Sequence, residues 1–139
     1  MSKPIPESGY EFEHVFRFTQ SDVVKFAEVT GDHNPVHLDE AYAAQTNFRK
    51  PIMHGFLSGS IFSKVFGTVY PGIGTIYLEQ QMIFKRPMFV DTEYTAHFKI
   101  LQADSEKGIL LIECRLVDET KKVCLEGNAK LLNKDVFKK

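Results

Sequence analysis

Apolar and polar positions along the chain change period once, near Gly74, from a helical rhythm to an alternating one. Before that point, Phe12, Phe16 and Phe18 alternate with charged or polar neighbours, apart from Val15, which predicts a first strand over residues 11–18. Thr19 then stands where a helix N-cap is wanted, with Asp22 in the first turn, and Val23, Val24, Phe26 and Ala27 form a helical stripe up to Gly31. After an irregular turn, residues 39–45 predict a short helix. The longest helical candidate covers residues 55–69 and is closed by Pro71-Gly72. Its interior set is Phe56, Leu57, Ile61, Phe62, Val65, Phe66 and Val69, with Ser58, Gly59, Ser60 and Ser63 between them and Lys64 as its only charge. A helix apolar on most sides is a buried helix, and its small residues let other backbone approach closely.

Beyond Gly74, strands are expected over residues 75–84, 92–102, 108–117 and 123–132, separated by Pro87 and by charged turns at 104–107 and 118–121. Tyr94, Ala96, Phe98 and Ile100 share one face of the second of these strands. Connections this short imply antiparallel neighbours rather than crossover units. The simplest architecture is α+β, four or five strands wrapped around one buried helix. At 139 residues the chain is sized for one hydrophobic core, so a single domain over 1–139 is expected.

Charge and cysteine usage narrow the class. With 17 basic and 18 acidic side chains there is no positive surplus for nucleic acid or an anionic membrane. No apolar run approaches the roughly 18–20 residues that span a bilayer, and the first residues lack the apolar core of a secretory signal. Two cysteines are too few for a disulfide scaffold. Strict alternation puts Cys114 on the face of Leu110, Ile112 and Leu116, and Cys124 on the face of Lys122 and Glu126. One thiol toward the core and one toward solvent disfavours a bridge, and free thiols suit a reducing cytoplasm.

The chemistry gathers in Thr30-Gly31-Asp32-His33-Asn34-Pro35-Val36-His37-Leu38-Asp39. Gly31 ends a helix and permits left-handed geometry. Pro35 forbids a continuous helix, so His33 and His37 are not metal ligands on one helical face, and no thiolate pair lies nearby to support zinc. Composition alone equally describes a polar turn in which Asp32 and Asn34 cap backbone N–H groups. His54-Gly55 opens the long apolar helix, where unpaired N–H groups and the positive end of the macrodipole favour an oxyanion. A glycine there serves close packing just as well.

These residues, together, resemble a known family. The run from Phe26 through Thr30-Gly31-Asp32-His33-Asn34-Pro35-Val36-His37, followed by Ala43, resembles the hydratase motif of the MaoC-like (R)-specific enoyl-CoA hydratases. His54-Gly55-Phe56-Leu57, Pro71-Gly72-Ile73-Gly74-Thr75-Ile76-Tyr77-Leu78 and Phe84-Lys85-Arg86-Pro87 recur at fitting positions. The resemblance runs over residues 16–91 at least, the strand pattern fits to the C-terminus, and separated motifs in the right order make it specific. In length the chain is similar to the short bacterial members that supply (R)-3-hydroxyacyl-CoA for polyhydroxyalkanoate synthesis. The resemblance implies the hot-dog fold, a curved antiparallel sheet around a long central helix, in agreement with the α+β architecture above.

It also implies roles. Asp32 and His37 are the expected catalytic pair: hydration of a 2-enoyl thioester needs a base for water and a proton for C2, which a carboxylate and an imidazole one water apart can supply. Asn34 is expected to orient the dyad or the water, and the Gly55 N–H to hold the thioester oxygen as enolate charge develops. Ser63, two turns along the helix, matches a supporting polar position, although packing alone would also explain it. His54 is expected to flank the oxyanion donor as a structural residue. His33 fills a variable motif position and is expected to face solvent, and His14 and His97 receive no role. No metal or redox cofactor is called for, since coenzyme A or an acyl carrier arrives with the substrate. A homodimer and a cytoplasmic setting are expected. Lys50, Lys85 and Arg86, with Arg49 nearby, suit coenzyme A phosphates or an acidic carrier protein, or form a solvated rim. The alternative activity is 3-hydroxyacyl-[acyl-carrier-protein] dehydration, the same reaction in reverse on another carrier. A hot-dog thioesterase would place a carboxylate on the buried helix, where residues 55–69 have none, and a non-catalytic acyl-binding module would not need both Asp32 and His37.

Overall fold

Tight turns dictate the topology. At 104–108, Asp104 Oδ1 accepts from the Glu106 and Lys107 N–H groups, and Gly108 takes φ 72°. At 118–122, Asp118 Oδ1 accepts from Thr120 and Lys122 N–H in the same manner. Each strand is thereby returned beside its predecessor. The computed structural model describes residues 3–138; Met1, Ser2 and Lys139 lie outside the described residues. Its elements are β1 (Glu11–Phe16), α1 (Gln20–Thr30), α2 (Pro35–Leu38), α3 (Glu40–Ala44), α4 (Gly55–Thr68), β2 (Ile76–Gln80), β3 (Ile83–Phe84), β4 (Tyr94–Asp104), β5 (Ile109–Val117) and β6 (Val123–Leu132), then a 3₁₀ turn at Asp135–Phe137.

The strands form one antiparallel sheet in the order β1-β4-β5-β6-β2, with β3 also on β6. Helix α4 lies against one face of that sheet. Its Leu57, Ile61, Phe62, Val65 and Phe66 join Ala96, Phe98, Ile100, Leu110, Ile112, Cys114, Leu116 and Leu131 in one apolar core. Phe98 is the hinge of that packing, with the rings of Phe62 and Phe66 at 5.8 and 5.1 Å in edge-on contact and Phe12 stacked at 4.8 Å. This is the sheet-around-helix arrangement expected from the strand pattern. Among the described residues no helix is long and apolar enough to cross a membrane.

Several details depart from the sequence reading. The first strand stops at Phe16, and the expected strand over 75–84 is two strands, β2 and β3, interrupted at Gln81-Met82. Gln81 N–H donates to the Asn128 carbonyl, and a Cβ at Gly127 would overlap the Gln81 carbonyl. Met82 crosses over Gly59 of α4, where any side chain would collide with its sulfur. Phe56 and Val69 lie on the outer side of α4, and Phe56 is 69% exposed.

Cys124 is also corrected: it is buried, like Cys114, and both thiols are free. Leu116 pairs with Leu125 and Val117 with Val123, so Cys124 is an extra residue in β6 without a partner. A bulge of this kind breaks strict alternation, and two successive residues turn to one side. Parity counting fails there for that reason.

Candidate active site

The site is assembled where α1, α2 and the start of α4 meet. Thr19 caps α1 reciprocally, its Oγ1 accepting from Asp22 N–H while its own N–H donates to Asp22 Oδ2. Gly31, at φ 81°, closes the helix with its N–H on the Ala27 carbonyl. The turn after it is not irregular throughout, as the sequence suggested. Pro35 is the first residue of α2, where it lacks only a donor that would go unused. Asn34 is the cap: its Oδ1 accepts from Val36 N–H at 3.2 Å, and its N–H donates to Asp32 Oδ1 at 3.3 Å. Asn34 thus orients Asp32 through its main chain and spends its side chain on α2.

That single helical turn presents His37, which is buried. Its Nδ1 is 2.8 Å from the Ile52 carbonyl. A carbonyl only accepts, so Nδ1 carries the proton and Nε2 keeps the lone pair. Burial, the larger cause, holds the His37 pKa below its ordinary 6.5; the Ile52 hydrogen bond opposes this, His54 adds to it, and Asp32 opposes it. His37 therefore stays a neutral base near pH 7.

Side-chain atoms of Asp32, His37 and His54 lie within 4.8 Å of one another, a span that one water bridges with two ordinary hydrogen bonds. Asp32 is exposed and His54 is buried. The same three residues are the only group of this kind among the described residues able to offer three metal ligands. Their geometry suits a metal poorly. The His37 and His54 rings are in contact, tilted at 31° with centroids 3.9 Å apart. His37 Nδ1 and His54 Nε2 are already spent on carbonyls.

His54 precedes α4 without capping it through its side chain, so the first N–H groups of that helix have no intrahelical acceptor. Gly55 lies with His37, Ser58, Met53, Phe84 and Met88 around a cavity of about 370 Å³. A Cβ on Gly55 would come within 2.7 Å of the Phe84 ring, so glycine is what lets this aromatic close over the helix start. Lys85 and Arg86 also reach the cavity. Lys50 instead lies over the Phe89 ring at 4.4 Å, and Lys85 pairs with Glu126 at 3.4 Å. A wider depression of about 1010 Å³, around Leu101, Asp104, Lys107 and Ile109, contains none of the motif residues.

Asp32, His37 and His54 come together, and Gly55, next to His54, shares a cavity wall with His37, while Asp32 and His54 lie outside that lining. Ser63 does not join them: it is exposed on α4 and outside the cavity lining, whereas Ser58, one turn after Gly55, lines it and donates to the His54 carbonyl at 3.4 Å. His33 is exposed. Sequence reasoning missed the Ile52 carbonyl, which sets the His37 tautomer, and Ser58, which looked like one of several small helix residues.

Residues 2–119 match the family model described as MaoC like domain. An (R)-specific enoyl-CoA hydratase of Aeromonas caviae is 38% identical over 129 residues, covering 93% of this chain and 96% of that protein. The structure described as the (R)-hydratase from A. caviae involved in PHA biosynthesis superposes with a TM-score of 0.87 at 37% identity, covering 91% of this chain and 96% of the other. An unliganded R-hydratase of Pseudomonas aeruginosa superposes with a TM-score of 0.86 at 37% identity, covering 91% and 81% of the two chains. With the family model spanning most of its length and a relative matching almost end to end, the chain belongs to the MaoC-like domain family of hydratases and dehydratases.

Proposed function

We propose that this protein adds water to trans-2-enoyl-CoA to form (R)-3-hydroxyacyl-CoA, and runs the reverse dehydration, as one hydratase domain. The observation that carries this reading is His37: a buried imidazole with Nδ1 tied to the Ile52 carbonyl, beside Asp32 and on an apolar cavity shared with Gly55. The named activity of the A. caviae relative supports the carrier and the (R) configuration.

In this mechanism a water is held between Asp32 and His37. His37 Nε2 or the Asp32 carboxylate takes one proton as the water oxygen bonds to C3. The C2–C3 π electrons move toward the carbonyl, and the resulting enolate oxygen is held by the Gly55 N–H at the positive end of α4. The group that took the proton then returns it to C2, which restores the thioester and leaves the dyad in its starting protonation state, while the other member holds the water in line with C3. Met53, Phe84 and Met88 exclude water from the acyl side, while Lys85 and Arg86 meet the charged carrier end. The scheme uses no separate cofactor: coenzyme A belongs to the substrate.

The working unit is a homodimer. Edge strand β2 exposes Ile76, Tyr77 and Leu78, and α4 exposes Phe56; an unpaired apolar edge of this kind is closed by a second copy. The setting is the cytoplasm, where the free thiols of Cys114 and Cys124 persist.

The test is loss of enoyl-thioester absorbance with crotonyl- through dodecenoyl-CoA, with chiral analysis of the product and a parallel arm on crotonyl-carrier protein. Formation of (R)-3-hydroxyacyl-CoA supports the proposal. An (S) product, release of free coenzyme A without hydration, or activity on the carrier protein alone overturns it.

A further inference from the structure

The N-cap of a helix normally carries a Ser, Thr, Asp or Asn whose side chain binds the first free N–H groups. His54 holds that place on α4 and makes no such bond. Its ring is turned inward and is only 2% exposed. Three contacts account for the orientation. Nε2 lies 3.0 Å from the main-chain carbonyl of Asp32. The His37 ring packs on the His54 ring at 3.9 Å, tilted by 31°, and the Phe26 ring is at 4.7 Å. Because a carbonyl only accepts, the His54 proton sits on Nε2 and Nδ1 keeps a lone pair. That Nδ1 is buried without a hydrogen-bond partner, the one such side-chain atom among the described residues. A buried nitrogen left unpaired weakens the fold, and a purely packing ring at this place would be better as Phe. What a Phe lacks is the Nε2–H.

The loop that this N–H grips has few other restraints on its functional residue. The Asp32 side chain is exposed, and its Oδ1 accepts from Asn34 N–H at 3.3 Å, within the same turn. The Asp32 N–H donates to Thr30 Oγ1 at 3.1 Å, a bond local to the same turn. His54 is therefore a long-range tie between the Asp32 backbone and the helix that carries Gly55. The same ring is the wall against which His37 lies. We propose that His54 is the positioning residue of the dyad: its Nε2–H clamps the Asp32 main chain while its ring backs His37, so that carboxylate, imidazole and the Gly55 N–H keep one mutual geometry. This inference rests on the hydratase reading of the same site. It assigns His54 a role beyond flanking the oxyanion donor, without contact to the reacting atoms.

The experiment measures kcat and KM with the most rapidly hydrated of crotonyl- through dodecenoyl-CoA for the wild type, His54→Phe and His54→Gln, each with a thermal melt, and reads the imidazole tautomers of the wild type by long-range ¹H–¹⁵N spectroscopy. His54→Phe keeps the ring volume and is expected to melt within a few degrees of the wild type. Its kcat should fall on the order of 10–100-fold, with KM held within about twofold, because a misplaced dyad costs turnover more than binding. His54→Gln offers an amide N–H to the Asp32 carbonyl and should recover part of that loss. The wild type should show the Nε2–H tautomer at His54. A His54→Phe protein with kcat within about twofold of wild type overturns the proposal. So does a His54→Gln no better than Phe, or an Nδ1–H tautomer at His54, a reading that needs no variant. A wild type that hydrates none of crotonyl- through dodecenoyl-CoA removes the hydratase reading and this inference together; an active wild type with an equally active His54→Phe removes this inference alone.

Discussion

The Ile52 carbonyl gives His37 a protonated Nδ1 and a free Nε2, and Asp32 stands within one water of it. One group to move the proton and one to hold the water are what the addition requires, so removing either should be severe. Asp32→Asn and His37→Gln are each expected to lower kcat by about 10²-fold or more with the melting temperature little changed; steady-state kinetics on crotonyl-CoA checks this. Gly55 acts by geometry instead. A side chain there meets the Phe84 ring at 2.7 Å, yet Phe84 is largely exposed and can yield. Gly55→Val should therefore fold but lose about 10²–10³-fold in kcat at saturating substrate, the scale of a lost oxyanion donor. A rise in KM alone would make Gly55 a packing residue. These residue identities were legible in the sequence because Asp32, Asn34, His37 and Gly55 belong to short motifs. The contacts that define their chemistry were not, since the Ile52 carbonyl lies on a separate loop from His37.

At the scale of elements, a one-turn helix carries the base. Four residues make a helix too short to hold itself, so α2 depends on Pro35 at its start, on the Asn34 cap, and on Gln20 Nε2 donating to the His37 carbonyl at 3.1 Å. Asn34→Ala is expected to cost about 1 kcal/mol of stability, the usual value of a lost N-cap. It should also reduce kcat, because the turn that aims His37 loosens; urea denaturation and kinetics on the same sample check both. The capped helix α1 and the strands β4 and β5 were readable from periodicity. The α2 turn was hidden because Pro35 reads as a helix breaker unless it is recognised as the first helical residue.

For the whole molecule, the proposed dimer covers the exposed apolar edge of β2. Leu78→Lys places a charge on the exposed apolar edge and is expected to shift the protein from dimer to monomer, as measured by analytical ultracentrifugation. A wild type that sediments as a monomer at working concentration would remove the dimer from the proposal. Protonation is a second global property. His37 and His14 both have folded pKa values lowered from 6.5, each through burial first, with Lys64 adding to the effect at His14. The unfolded chain then binds more protons than the folded one below that value. Stability should be full above about pH 6.5 and decline as pH falls toward the lowered folded values. Urea midpoints compared at pH 7.5 and 5.5 should show the lower midpoint at 5.5.

By itself the sequence determined the helix and strand rhythm, the antiparallel order of short-turn neighbours, the core face of Tyr94, Ala96, Phe98 and Ile100, and the motif that carries Asp32 and His37. Such properties depend on residues close together along the chain, where side-chain period and turn chemistry act directly. Tertiary structure alone decided the rest. It buried Cys124 through a bulge set by register with β5, left Phe56 and Val69 outside because the sheet covers only one side of α4, and kept Ser63 out of the cavity while turning Ser58 into it. It also packed His54 on His37, two residues 17 positions apart in sequence whose rings meet because Ile52, just before His54, is hydrogen-bonded to the Val36 carbonyl and to the His37 ring. A period along one segment says which residues share a face; only the partner segment says which face is covered.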